Sequence, residues 1–387
     1  LKAAVDAAIV GAGIVGTSIA DRLIEREPNW RIVLLEAEGS PGTGESRWAT
    51  GGVRAQFGTE ANIMLSCISI RMFENFERTY GVDPHFRRHG YLFVTADPQR
   101  LAVMDRELEM QRGLGVDTQR LDAQAMRELC PPLATGDLLG GNYCASDGSI
   151  EPATLLHAYL ESFRRQGGAL ATEARVLSIE RNGDTWLLRT PRVEYETPVI
   201  VLACGTRARP VAALAGLDVP VHAFARQVFV AGRLEGIPPE MPLVVDIDTG
   251  LYVHAQRAEL LLGGTDKDAR PIPDGTAPGE ADWSGFEAVF RAATHRMPML
   301  ADAKIVRSYA GARTLTPDHH AILGPVASHP GLFLATGFSG HGIMHSPAVG
   351  ILLAEWITEG EPKTWDARPL MLERFTDHKT TNESAVF

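Results

Sequence analysis

The stretch that most restricts what this chain can fold into is "VDAAIVGAGIVGTSIADRLIERE", near its start. A short apolar run ends at Gly11, Gly13 and Gly16 complete a G-x-G-x-x-G spacing, and Val15, Ile19 and Leu23 then recur on one face at helical period. The next run, "RIVLLEAE", reads as a second strand that ends at Glu36. Strand, turn, helix, strand and terminal acid in register predict a dinucleotide-binding βαβ unit. Gly11 permits the tight turn, Gly13 lets a pyrophosphate reach the backbone, and Gly16 lets the helix close on the strand. The helix N-terminus, at Ile14 and Val15, attracts phosphate. Glu36, with Ala37 beside it, is expected to hold ribose hydroxyls. An acid there argues against a 2′-phosphate, favouring FAD or NAD over NADP. The motif alone leaves FAD and NAD both open.

Composition narrows the partners. The chain has 387 residues, 45% of them apolar, enough for a large core and about two domains. Its formal charge of -11 is spread along the sequence without a basic stripe, so nucleic acid is not an expected partner. Cys67, Cys130, Cys144 and Cys204 lie far apart with no C-x-x-C pair, which predicts free thiols in a reducing, cytoplasmic compartment. The opening "LKAAVDAAIVGAG" lacks a basic start before a cleavable apolar run, and no apolar run reaches the roughly 18 residues of a transmembrane helix. "DHH" at 318 to 320, with His341 and His345, lacks zinc spacing, so no metal is expected. The closing "DHKTTNESAVF" reads as a frayed tail.

A second glycine-rich stretch, "GFSGHGIMHSP", begins at Gly337. Glycine costs a helix or strand interior about 0.5–1 kcal/mol relative to alanine, so such a cluster signals turns or a flat ligand close to the main chain. Taken in order with "SRWATGGVRAQFGTEANIMLS", "GYLFV", "SDGSIEPATLLHAYLESFRRQGGAL", "VIVLACGTRA" and "YAGARTLTPDHHAILGP", the chain resembles the D-amino-acid oxidase superfamily of flavoproteins. Its pattern is nearest to the beta chains of proline dehydrogenase and sarcosine oxidase. The resemblance implies an α/β fold of the glutathione-reductase-like kind. In it a Rossmann-type FAD-binding domain carries an inserted substrate domain on a mixed, mostly antiparallel β-sheet. Residues 1–80, 144–215 and 310–365 are then assigned to the FAD domain, 81–143 and 216–309 to the substrate domain, and 366–387 to the C-terminal tail. The β-rich runs "QVFVAG", "LYVHA" and "ELLLGGT", separated by turns such as "GIPPEMP", agree with a sheet rather than βαβ units.

By the same resemblance the second glycine loop returns to the flavin. There Gly337, Gly340, His341, Gly342, Ile343 and Met344, with the positive end of the helix expected from Ser346, supply donors to its pyrimidine side. Thr50, Gly51, Gly52, Val176, Ala203 and Gly205 complete the expected cofactor set. The activity implied is oxidation of the C–N bond of a small amino acid, secondary amino acids such as proline, sarcosine or another N-alkyl amino acid first and D- or unbranched primary ones second. The electrons would pass to a quinone, a partner flavoprotein or O2, and a partner subunit is compatible with the pattern. The substrate carboxylate calls for an arginine fork, and Arg313 in "AGARTLTPD" aligns with the carboxylate-binding arginine of glycine oxidase. Tyr252, Arg226 and His341 join it as catalytic candidates, with Arg54 and His254 as further choices. Gly311 stands where monomeric sarcosine oxidase has its covalent-flavin cysteine, so FAD is expected to be non-covalent. Leu261 and Met344 stand where that enzyme has lysines, which favours a dehydrogenase unless a protonated His341 restores the charge. A flavin-bearing subunit with little turnover of its own is the alternative.

Overall fold

In the computed structural model, which describes residues 1–232, 234–256, 259–264 and 271–384, the opening strand Ala7–Val10 is buried along its whole length. It pairs in parallel with Ile32–Leu35 on one side and Ile200–Leu202 on the other. A strand apolar on both faces needs cover on both. On one face lie the helices Ile14–Arg26, Pro152–Arg165 and Gly342–Glu359, packing Ile19, Leu23, Phe163, Leu352 and Leu353 into one core. On the other face Trp186, Leu188 and Tyr195, from a four-stranded sheet, pack against Ala8, Val10, Val33 and Leu35. The nucleotide sheet has six strands. Ala169–Ala171 lies at one edge and Ile322–Pro325, the antiparallel member, at the other, beside Leu332–Thr336.

The second large sheet is mixed and mostly antiparallel, as expected. Among the described residues its one parallel pairing joins Leu243–Asp246 to Tyr91–Thr95. The predicted β-rich runs fall on His222–Ala231, Leu251–Gln256 and Glu259–Gly263, while Thr265 lies outside the described residues. Strand Ile305–Leu315 pairs with His222–Ala231 from one end to the other, His222 opposite Leu315 and Ala231 opposite Ile305. Residues 310–315, read from sequence with the nucleotide unit, are therefore hydrogen-bonded into the substrate sheet.

The tail is not frayed up to Ser384. Arg374 is buried and donates from Nε to Asp318 Oδ2 at 2.7 Å and from a terminal nitrogen to Oδ1 at 3.1 Å. Glu383 is also buried, and its carboxylate accepts from Gly58 N at 2.7 Å, Thr59 Oγ1 at 2.6 Å and Asn62 Nδ2 at 2.9 Å. Thr59 is the N-cap of helix Glu60–Glu74 and makes no side-chain cap bond of its own. A distant carboxylate thus sits at the positive N-terminal end of that helix, where negative charge is favoured. The polar composition hid this because the tail is anchored by charge rather than by apolar periodicity.

Candidate functional site

Between the two large sheets lies a cavity of about 840 Å³, near the top of the roughly 300–1,000 Å³ typical of ligand pockets. The first glycine loop forms one end. Gly11 has φ of +106°, and a Cβ there would stand 2.3 Å from Ala203 O, so only glycine makes this turn. Gly16 does not line the cavity; a Cβ on it would lie 1.9 Å from Gly11 O, which makes it the helix–strand packing glycine. Gly13, Ile14, Val15, Ala37, Val176, Ala203 and Gly205 line this end. Glu36 lies at its wall, one oxygen accepting from Ala12 N at 3.1 Å and the other from Glu38 N at 2.9 Å. Each oxygen keeps a second lone pair for a ribose hydroxyl.

Thr50, Gly51 and Gly52 line the cavity's middle, and the second glycine loop closes its far end. Gly340 has φ of +87°, and a Cβ there would come within 2.4 Å of Arg313 Nε. Arg313 in turn donates to Ser339 O at 2.7 Å, while Ser339 N donates to Thr314 O at 2.8 Å. The helix after the loop starts at Gly342, earlier than the Ser346 expected from sequence. Pro347 lies inside that helix and has no N–H for Ile343 O; the Ser346 hydroxyl donates to that oxygen instead, at 2.9 Å. The amides of Gly342, Ile343 and Met344 are consequently first-turn N–H groups, which an α-helix leaves free for a ligand. Trp48 Nε1 and Thr336 Oγ1, both on the cavity wall, are buried without a protein partner. Glycine approaches at both ends, an acid at the ribose position and orphaned polar atoms between them fit an elongated dinucleotide such as FAD.

Arg54, Arg226, Arg313, Tyr91, Phe93 and Tyr252 surround the remaining space. Burial and the neighbouring Arg226 push the Arg313 guanidinium down to about 9, which leaves it charged at neutral pH. Burial, with Arg54 and His345 nearby, holds His341 well below the ordinary histidine value. His341 is therefore neutral near pH 7 and does not restore the charge that its protonated form would have supplied. Arg54 lies beside it: a terminal nitrogen is 3.5 Å from His341 Nε2, and the guanidinium lies 3.8 Å over the Phe57 ring. Leu261 is buried with Val228 and Val230 and does not reach the cavity. Nor does His254, whose ring is buried and which burial pushes down to about 4, so its reading as a substrate residue is withdrawn.

Sequence reasoning singled out none of Tyr91, Phe93, Trp48 and Glu45 individually, though it read "GYLFV" as a lining segment. "GYLFV" carried the signal for the first two, since alternate residues of a strand share a face. The other two lie on the short turn Glu45–Trp48, which has no period to read.

Among the described residues no group of three or more metal-binding side chains stands together, and no helix is long and apolar enough to cross a membrane. A family profile described as "DAO: FAD dependent oxidoreductase" matches residues 6–356. The chain is 29% identical over 378 residues to 4-methylaminobutanoate oxidase (formaldehyde-forming) of Paenarthrobacter nicotinovorans, covering 96% of this chain and 46% of that protein. It is 28% identical to mitochondrial dimethylglycine dehydrogenase of Mus musculus, covering 92% of this chain and 42% of that one. It thus spans less than half the length of these relatives. Among solved structures, L-proline dehydrogenase from P. horikoshii superimposes with a TM-score of 0.90 at 24% identity, over 98% of this chain and 100% of that one. Glycine oxidase from Geobacillus kaustophilus gives 0.83 at 26% identity, over 96% of this chain and 99% of that one.

Proposed function

We propose, from the premise that the chain belongs to the DAO family of FAD-dependent oxidoreductases, that it oxidises the C–N bond of a small amino acid, secondary amino acids ahead of D- or unbranched primary ones. One observation carries this reading: the Arg313 guanidinium and the donor-rich turn Gly340–Met344 line the same cavity. FAD, when bound, supplies the hydride acceptor. The rest is the work of the chain's own groups. Arg313 binds both oxygens of the substrate carboxylate through its planar fork. Tyr252 and Tyr91, whose phenols burial pushes up, remain neutral hydrogen-bonding groups beside it. Arg226 lines the same space, and His341, being neutral, offers an unprotonated ring nitrogen that accepts a hydrogen bond without adding charge. Phe93 and Val245 exclude water, which strengthens every electrostatic contact. The first-turn amides of Gly342, Ile343 and Met344 face negative charge on the cofactor. Gly311, on the cavity wall, offers no thiol for a thioether, which supports non-covalent FAD.

The name of one relative supports the preference for secondary amines, since 4-methylaminobutanoate carries a single N-methyl group. Anaerobic titration of the yellow protein is expected to bleach the flavin with proline, sarcosine or other N-alkyl amino acids at lower concentration than with primary ones. A protein that holds FAD and is bleached by no amine would refute the reading. It would favour the alternative, a flavin-bearing subunit or assembly factor.

Met344, which brings no charge to the cavity wall, supports an acceptor other than O2, such as a quinone or partner flavoprotein. Stopped-flow mixing of the reduced protein with air-saturated buffer is expected to show slow reoxidation. Fast reoxidation, slowed in turn by Arg54→Met, would assign the acceptor to O2 and the activating charge to Arg54.

A further inference from the structure

We infer that Glu45 is a positioning residue whose carboxyl couples FAD retention to the uptake of one proton, by tying the two sheets together in the wall that holds the pyrophosphate. The inference rests on the FAD reading above. Glu45 opens the short turn Glu45–Trp48, and its Oε1 accepts from Thr314 N at 3.1 Å and Thr314 Oγ1 at 3.2 Å. Thr314 belongs to the strand that carries Arg313, so this side of the contact reaches the substrate sheet. The opposite side reaches the nucleotide sheet, through the Thr206 amide and through Gly205, where a Cβ would stand 2.4 Å from Glu45 Oε2. The next residue, Ser46, accepts from Ile14 N at 3.0 Å, at the N-terminus of the phosphate-binding helix. Glu45 is thus next in the chain to the side chain that meets the phosphate-binding helix, and Glu45, Ser46 and Ile14 line one cavity wall.

A pyrophosphate brings negative charge to that wall, and an ionised carboxylate beside it repels it. Burial raises the Glu45 carboxyl to about 7, against the bonds from Thr314 and Thr206 that lower it, so near neutrality both forms are populated before the cofactor arrives. The charged groups on neighbouring elements are engaged elsewhere. Arg47 lies 5.2 Å over the Trp48 ring, Arg207 donates to Glu38 at 2.8 Å, and Arg313 donates to Ser339 O. His157 and Glu161, on the helix Pro152–Arg165, border a separate surface cavity. Glu36, across the cavity, is held by Ala12 N and Glu38 N. Bound FAD selects the protonated carboxyl, so its affinity is level below the carboxyl's titration and falls above it.

The test is FAD binding by the apoprotein, followed by flavin fluorescence quenching from about pH 6 to about pH 8.5. In the wild type the Kd is expected to be flat at the acid end and to rise toward tenfold per pH unit above about 7, the slope of one proton. Glu45→Gln keeps the shape without the charge and is expected to bind FAD with a level Kd across the range, tighter than wild type at the alkaline end. Equal slopes in the two proteins would overturn the inference. Mixing wild-type apoprotein with FAD in weak buffer near neutrality, with an indicator dye, needs no variant; uptake of a fraction of a proton is expected, and no uptake refutes it. Failure of FAD to bind at any pH would instead overturn the FAD reading itself.

Discussion

Arg313→Ala is expected to lower kcat/KM for amino-acid substrates by roughly two to three and a half powers of ten, the kinetic equivalent of the about 3–5 kcal/mol lost when one partner of a buried charge pair is removed. The loss should be selective. An amine of similar shape without a carboxylate never used the guanidinium, so its turnover should change little. Arg313 also donates to Ser339 O and fills the space that Gly340 leaves by having no Cβ. Loosening of the cofactor loop, rather than loss of a carboxylate partner, is thus a second route by which the variant fails. Two measurements separate the cases. If the guanidinium binds substrate, the FAD Kd stays near the wild-type value while KM for the amino acid rises steeply, and Arg313→Lys recovers part of the loss because charge returns without the bidentate fork. If FAD affinity falls in step with activity and carboxylate-free amines suffer equally, Arg313 is a loop support and the substrate carboxylate is bound elsewhere, with Arg226 next in line.

The two ends of the cavity were legible in the sequence for different reasons. Around Gly11 the signal was local: strand, glycine turn, helix and acid follow one another within one βαβ unit, and each glycine has a steric task that the fold displays. The loop around Gly340 was legible only through resemblance, because the partner that requires its bare backbone, Arg313, lies 27 positions earlier on a strand of another sheet. The start of the following helix was misplaced because Pro347 signals a first turn, whereas here Ser346 compensates for the missing amide and the helix runs on in the N-terminal direction. His341 shows what sequence cannot give. Its charge is set by Arg54, His345 and burial together, and none of these is encoded in its own neighbourhood. Glu45 escaped notice for the same reason, since Thr314 and Thr206 reach it from distant segments.

Arg374→Ala is expected to destabilise the folded protein by about 3–5 kcal/mol, read as a shift in the urea midpoint of the holoprotein at unchanged slope. Its partner Asp318 is 2% exposed at the side chain and Arg374 4%, so truncating the arginine strands a carboxylate away from water. Burial raises the Asp318 carboxyl, but the hydrogen bond and charge of Arg374 more than reverse this and leave it below its ordinary value. A group lowered in this way contributes stability that is present above its unfolded value of about 3.9 and is lost as pH falls through the folded one. The difference between wild type and variant should therefore narrow on acidification. Replacing both partners with apolar residues of similar size, Arg374→Met with Asp318→Leu, is expected to cost less than Arg374→Ala alone, because no charge remains buried. Asp318 also accepts from Thr316 Oγ1 at 3.1 Å and from His320 N at 3.2 Å, in the turn that leaves the Arg313 strand. That connection makes the tail a brace for the substrate end of the cavity, so KM should rise in Arg374→Ala under conditions where the protein is still folded. A loss below about 1 kcal/mol, within the range of an exposed ion pair, would show instead that the segment rests on the surface and carries no load.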